Sequence, residues 1–88
     1  MNYNDLQREV DRLNEKYCKY RKNKLVVSKA YGGFAVYLTG KTKDKGLKTA
    51  VIDITDGHDT IKNTLNSLYK VESKGWLQSD IKYYDKNK

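Results

Sequence analysis

Residues 25–55 constrain the fold most, because three strands and both turns joining them can be read from that one stretch. Residues 25–31 (LVVSKAY) and 34–40 (FAVYLTG) are rich in β-branched and aromatic side chains, and only Gly32-Gly33 separates them. A two-residue glycine loop accepts the positive φ of a type I′ or II′ hairpin turn. The expected register sets Tyr31 opposite Phe34, Lys29 opposite Val36, Val27 opposite Leu38 and Leu25 opposite Gly40. The second turn is predicted at Lys43-Asp44-Lys45-Gly46, with Gly46 in the left-handed position of a G1 bulge. That turn sets Leu38 opposite Ile52, Val36 opposite Ile54 and Gly40 opposite Ala50.

Both registers place the same side chains on one face. Leu25, Val27, Phe34, Val36, Leu38, Ala50, Ile52 and Ile54 point one way, with Lys29 at the rim. Val26, Ser28, Ala30, Ala35, Tyr37, Thr39, Val51 and Asp53 form the smaller, more polar face. A slip of one residue would invert the pattern, so the agreement supports a three-stranded antiparallel meander.

Helices flank it. Leu6, Val10, Leu13, Tyr17 and Tyr20 recur at spacings of four, three, four and three, one stripe of an amphipathic helix running to about Arg21. Asn4 is expected as its N-cap, with Gln7 completing a capping box. Asp56 is expected to cap a second helix, with Asp59 in its first turn and Ile61, Leu65, Leu68 and Glu72 on its period. Gly75 is expected as the left-handed residue ending it, which would set Trp76 against Val71 in a Schellman motif. Residues 76–84 are read as a short third helix using Trp76, Leu77, Ile81 and Tyr84, or as an irregular arm, with 85–88 frayed. The expected fold class is α+β, a single small domain of order αβββα with an optional C-terminal helix and both long helices on one sheet face.

Eighty-eight residues bury only about 60% of their unfolded surface and leave no room for a deep cleft. Cys18 is the one cysteine, which excludes a disulfide framework and a cysteine zinc site; it is expected as a buried or half-buried filler. His58, between Asp56 and Asp59, reads as part of a helix-capping cluster rather than as a metal ligand or base. Gly32-Gly33 has neither the lysine nor the following helix of a phosphate loop. No enzyme signature, metal set or cofactor motif is present in these residues. No apolar run reaches membrane-spanning length and the opening decapeptide is unlike a signal peptide, so an intracellular, soluble protein with no membrane partner is expected.

The net charge of +7 points to an anionic partner. The alternative is compositional: lysine outnumbers arginine fifteen to three, as codon drift in an AT-rich genome would produce. What favours a partner is placement. The predicted topology gathers Lys19, Arg21, Lys22 and Lys24 at one pole with Lys41, Lys43, Lys45 and Lys48, and returns Lys70 and Lys74 toward it. Two clusters distant in sequence form one candidate surface for nucleic acid or an acidic protein.

The order αβββα is also that of the double-stranded-RNA-binding domain, which grips RNA through helix one, a first hairpin loop and a lysine-rich start of helix two. Here that loop is Gly32-Gly33 and the second helix opens with acidic residues, so no residue is carried over. The opening Met1-Asn2-Tyr3-Asn4-Asp5-Leu6-Gln7-Arg8-Glu9-Val10, the length, the element order and Gly75-Trp76 are similar to those of small phage-encoded type II anti-CRISPR proteins, αβββαα inhibitors of Cas9. That family is acidic and occupies the DNA-reading site by imitating DNA. For a basic chain the resemblance implies the scaffold and the role of blocking a host defence nuclease or ribonucleoprotein in the bacterial cytoplasm, and no contact residues.

Overall fold

A computed structural model of the chain describes residues 2–41 and 48–87, and side chains within 2–39 and 52–84. Helix α1 (Tyr3–Tyr17) precedes β1 (Leu25–Ala30), β2 (Gly33–Lys41) and β3 (Lys48–Asp53), and α2 (Ile61–Ser73) and α3 (Trp76–Asn87) follow. The strands form one antiparallel sheet in the order β1-β2-β3, and the fold is α+β. Leu6, Val10 and Leu13 of α1, Leu65 and Leu68 of α2 and Leu77 and Ile81 of α3 share one core with Leu25, Val36, Leu38 and Ile54. The three helices therefore cover the face predicted to be apolar, and among the described residues no helix lies on the other face of the sheet.

The first hairpin turns one residue earlier than expected. Its loop is Tyr31-Gly32, with φ of 54° and 73°, the positive values a type I′ turn needs at both positions. The pairs are Leu25 with Leu38, Val27 with Val36, Lys29 with Phe34 and Ala30 with Gly33. Moving the turn by one residue shifts each partner by two, which leaves every side chain on its predicted face. Gly33 is needed elsewhere. The chain after β3 runs back along β2, where Phe34 N–H donates to the Asp59 carbonyl at 2.8 Å and Asp59 N–H to the Phe34 carbonyl at 2.9 Å. A Cβ on Gly33 would lie 2.9 Å from the Asp59 nitrogen, so only glycine admits this strap.

Between β2 and β3 the pair Leu38–Ile52 stands as expected, but Thr39 rather than Gly40 pairs with Ala50, through a register shift after Leu38. Ile54 lies beyond the strand and still donates its N–H to the Val36 carbonyl at 2.9 Å. The turn predicted at Lys43-Asp44-Lys45-Gly46 lies outside the described residues.

Several helix ends depart from expectation, each for a local reason. The N-cap of α1 is Asn2, not Asn4: its side chain accepts from Asp5 N–H while Asp5 accepts from Asn2 N–H, a reciprocal capping box. The helix stops at Tyr17 rather than near Arg21, and Tyr20 is 92% exposed instead of extending the stripe. Buried Cys18 takes the last core position. Asn14 brings the chain back at once, donating to the Leu25 carbonyl at 2.9 Å and accepting from Leu25 N–H at 2.7 Å.

Thr60 caps α2 in place of Asp56, its hydroxyl oxygen accepting from Asn63 N–H at 3.1 Å. Thr64 then donates its hydroxyl to the Phe34 carbonyl at 3.0 Å, which fixes the start of α2 on β2. Gly75 has the expected positive φ, 77°. Trp76, however, is 50% exposed and does not lock the corner from the core side; Leu77, fully buried, takes that place. The third element is a helix that continues through 85–87 rather than fraying there.

Gly33→Ala is expected to lower stability in urea unfolding by about 1–3 kcal/mol, since the added methyl meets backbone that has no room to yield. Gly32→Asn, at a left-handed position with open space around it, is expected to stay within about 0.5 kcal/mol of wild type. Equal stabilities for Gly33→Ala and wild type would contradict the strap.

Candidate functional site

The pole formed by the end of α1, the segment 18–24, the far ends of β2 and β3 and the end of α2 carries the cations of interest. Backbone bonds build it. Thr39 N–H donates to the Lys24 carbonyl at 2.9 Å, and Asn23 donates its side-chain amide to the Thr39 carbonyl at 2.8 Å. The segment leaving α1 therefore lies against β2 just before Lys41, and Lys41 pairs with Lys48 across the ladder. The two basic clusters meet through the fold at these backbone positions. The side chains of Lys41 and Lys48, and all of Lys43 and Lys45, lie outside the described set.

The four cations before β1 have different surroundings. Lys22 is exposed. Lys19 is exposed too, with its ammonium 3.0 Å from Glu15 and 5.7 Å from the centre of the Tyr20 ring. Arg21 is half-buried, and its N–H donates to the Cys18 carbonyl at 3.1 Å. Lys24 turns inward: its ammonium donates to the Cys18 carbonyl and, at 3.3 Å, to that of Lys19. A cation there satisfies carbonyls at a helix end and complements the negative end of its dipole. Of the predicted surface lysines, Lys24 has a structural occupation that its sequence position did not announce.

Glu72 ties the end of helix α2 to the same pole. Its carboxylate accepts from Arg12 at 2.6 Å, from the Tyr17 hydroxyl at 2.7 Å and from Lys16 at 3.3 Å. Gln78 of α3 donates to the Tyr17 oxygen at 3.1 Å, so one carboxylate and one phenol connect three helices. These partners, Arg12 first and then Tyr17, hold the Glu72 carboxyl down at about 2. Glu9 and then Glu72 hold the Arg12 guanidinium above its ordinary value. The helical period places Glu72 on the stripe of α2 without naming its partners. The missed signal was a charge four residues after buried Leu68 on the same stripe, a position that requires partners.

Lys70 and Lys74 are exposed near this corner, and the Lys70 ammonium sits 5.7 Å from the Trp76 ring. The opposite pole is different. Asn63 and the Thr60 N–H keep the Asp59 carboxyl below its usual value. His58 is not part of the helix cap: its Nε2 lies 3.0 Å from the Ser28 hydroxyl and its ring meets Tyr31 edge-on at 5.6 Å. That pins the loop after β3 to β1.

Among the described residues, no group of three His, Cys, Asp or Glu side chains is placed to hold a metal ion, and no helix is long and apolar enough to cross a membrane. In comparison with known proteins, no family model matches the chain, and neither a curated protein nor a solved structure does.

Lys24→Met is expected to cost about 1 kcal/mol in chemical unfolding, because helix-end carbonyls lose their cation. Lys22→Met, on an exposed side chain, should fall within about 0.5 kcal/mol. Equal and negligible costs would return Lys24 to the free surface.

Proposed function

We propose that this chain is a small non-enzymatic protein of a phage or mobile element that binds and inhibits a host defence nuclease, a CRISPR effector of the Cas9 type, inside the bacterial cytoplasm. One observation carries the reading: the element order is α-β-β-β-α-α, the scaffold that the similarity of residues 1–10 and of Gly75-Trp76 implies. The third helix supports the reading, since the resembled family is αβββαα and the residues alone left 76–84 open between a helix and an irregular arm. A net charge of +7 supports a mode of action unlike imitation of DNA. The surface at work is the basic pole of Lys19, Arg21, Lys22, Lys41, Lys43, Lys45 and Lys48, with Lys24 holding its backbone, and the target offers an acidic protein surface or guide RNA. A nucleic-acid-binding accessory protein would use the same lysines on phosphates, and the clustering of cations favours that second reading equally.

A variant reversing Lys19, Lys22, Lys43 and Lys45 to Glu tests both. It is expected to lose nuclease inhibition by at least about tenfold with its melting temperature kept, since surface substitutions cost little. Lys62→Glu, on exposed helix surface at the other pole, should keep inhibition. If only retention of naked nucleic acid, with a strong salt dependence, responds to these changes, the accessory reading replaces the inhibitor. Full activity in the quadruple variant would move the functional surface to the open sheet face around Val26, Tyr37 and Val51.

A further inference from the structure

Two exposed aromatic rings at the basic pole each have an ammonium beside them. Tyr20 is 92% exposed with the Lys19 ammonium 5.7 Å from its ring centre, and Trp76 is 50% exposed with the Lys70 ammonium at the same distance. The segments that carry them meet at one contact: Gln78, two residues after Trp76, donates to the hydroxyl of Tyr17, three residues before Tyr20. The sequence stripe would have put Tyr20 in the core. The fold leaves both rings exposed, and Lys22, Lys70 and Lys74 in the same two chain segments are exposed as well.

We infer that this pole binds single-stranded nucleic acid, with bases stacked on Tyr20 and Trp76 and phosphates held by Lys19, Lys22, Lys70 and Lys74. The inference rests on the basic-pole reading above and names its ligand. Lysines alone attract any polyanion, whereas an aromatic face adds stacking that only an unpaired base can use. In a duplex the bases are stacked on one another and closed to such a platform. The arrangement therefore favours an unpaired strand over a duplex; an acidic protein surface, which exposed rings can also serve, is the competing partner.

Fluorescence anisotropy with a labelled twelve-nucleotide RNA of mixed sequence, its DNA counterpart and the corresponding RNA duplex tests this with the full chain. Wild type is expected to bind the single strands more tightly than the duplex at equal salt, and the RNA and DNA arms separate the two sources of the strand. Tyr20→Ala and Trp76→Ala should each weaken single-strand binding at least about fivefold and leave duplex binding unchanged. Tyr20→Phe and Trp76→Phe should retain it. Tyr20 is so exposed that its variants keep the fold, and a melting curve checks those of Trp76. Alanine variants that bind like wild type, or a duplex bound as tightly as the strand, overturn the stacking inference. If a Lys22→Glu, Lys70→Glu variant still loses binding in that case, the basic pole stands without it. If wild type binds none of the three probes, the inference fails, and nuclease inhibition measured alongside decides the proposed function separately.

Discussion

Glu72 is the charge on which the helical layer depends. Three helices share one face of a three-stranded sheet, and a core this small leaves their relative placement to a few polar contacts at its edge. Glu72 sits on the apolar stripe of α2 one turn after Leu68, where an unpaired carboxylate would be costly. Arg12, Lys16 and Tyr17 answer it from α1, and Gln78 reaches Tyr17 from α3. The geometry gathers α1, α2 and the start of α3 at one pole, and that is the pole where the basic segments converge. Beside the shared apolar core, one side chain and its donors thus join the three helices at the pole of the candidate surface.

The sheet was largely legible in the residues, and the reason is the period of two. A turn at Tyr31-Gly32 instead of Gly32-Gly33 moved every pair by two positions without moving a side chain to the other face. The faces followed from local alternation, whereas the turn was decided at long range. Gly33 serves the approach of Asp59, twenty-six residues away in sequence, and no feature near the hairpin reveals that demand. Tyr31 takes the left-handed position in its stead, at φ 54°, which is strained for a bulky residue. Its ring rests edge-on against His58. The same holds at the end of α1: the stripe allowed another turn through Tyr20, but Asn14 binding both backbone groups of Leu25 brought the chain back first.

The backbone of the candidate pole was legible in position, with Lys24 beside Thr39 and Lys41 paired with Lys48. Its convergence follows from connectivity alone, because the end of α1, the start of β1 and the β2–β3 end must be neighbours in a meander under a helix. What connectivity does not tell is which lysines are occupied. Lys24 is bound to helix-end carbonyls, Lys19 to Glu15, and Lys16 to Glu72. The exposed rings of Tyr20 and Trp76 were hidden for a related reason, since apolar periodicity assigns aromatic residues to the core by default.

The most direct measurement of this account is an NMR titration of the Glu72 side-chain carboxyl in the folded protein. Donors from Arg12 and Tyr17 favour the charged form, so a midpoint of about 2 is predicted, well below the ordinary 4.5. The stability this charge contributes is then complete above the ordinary carboxylate range and is lost as the pH falls from about 4.5 through about 2. The aromatic resonances of Tyr17 should move with the same midpoint. A Glu72 midpoint near 4.5, with Tyr17 unaffected, would contradict the claim that this carboxylate joins the helices.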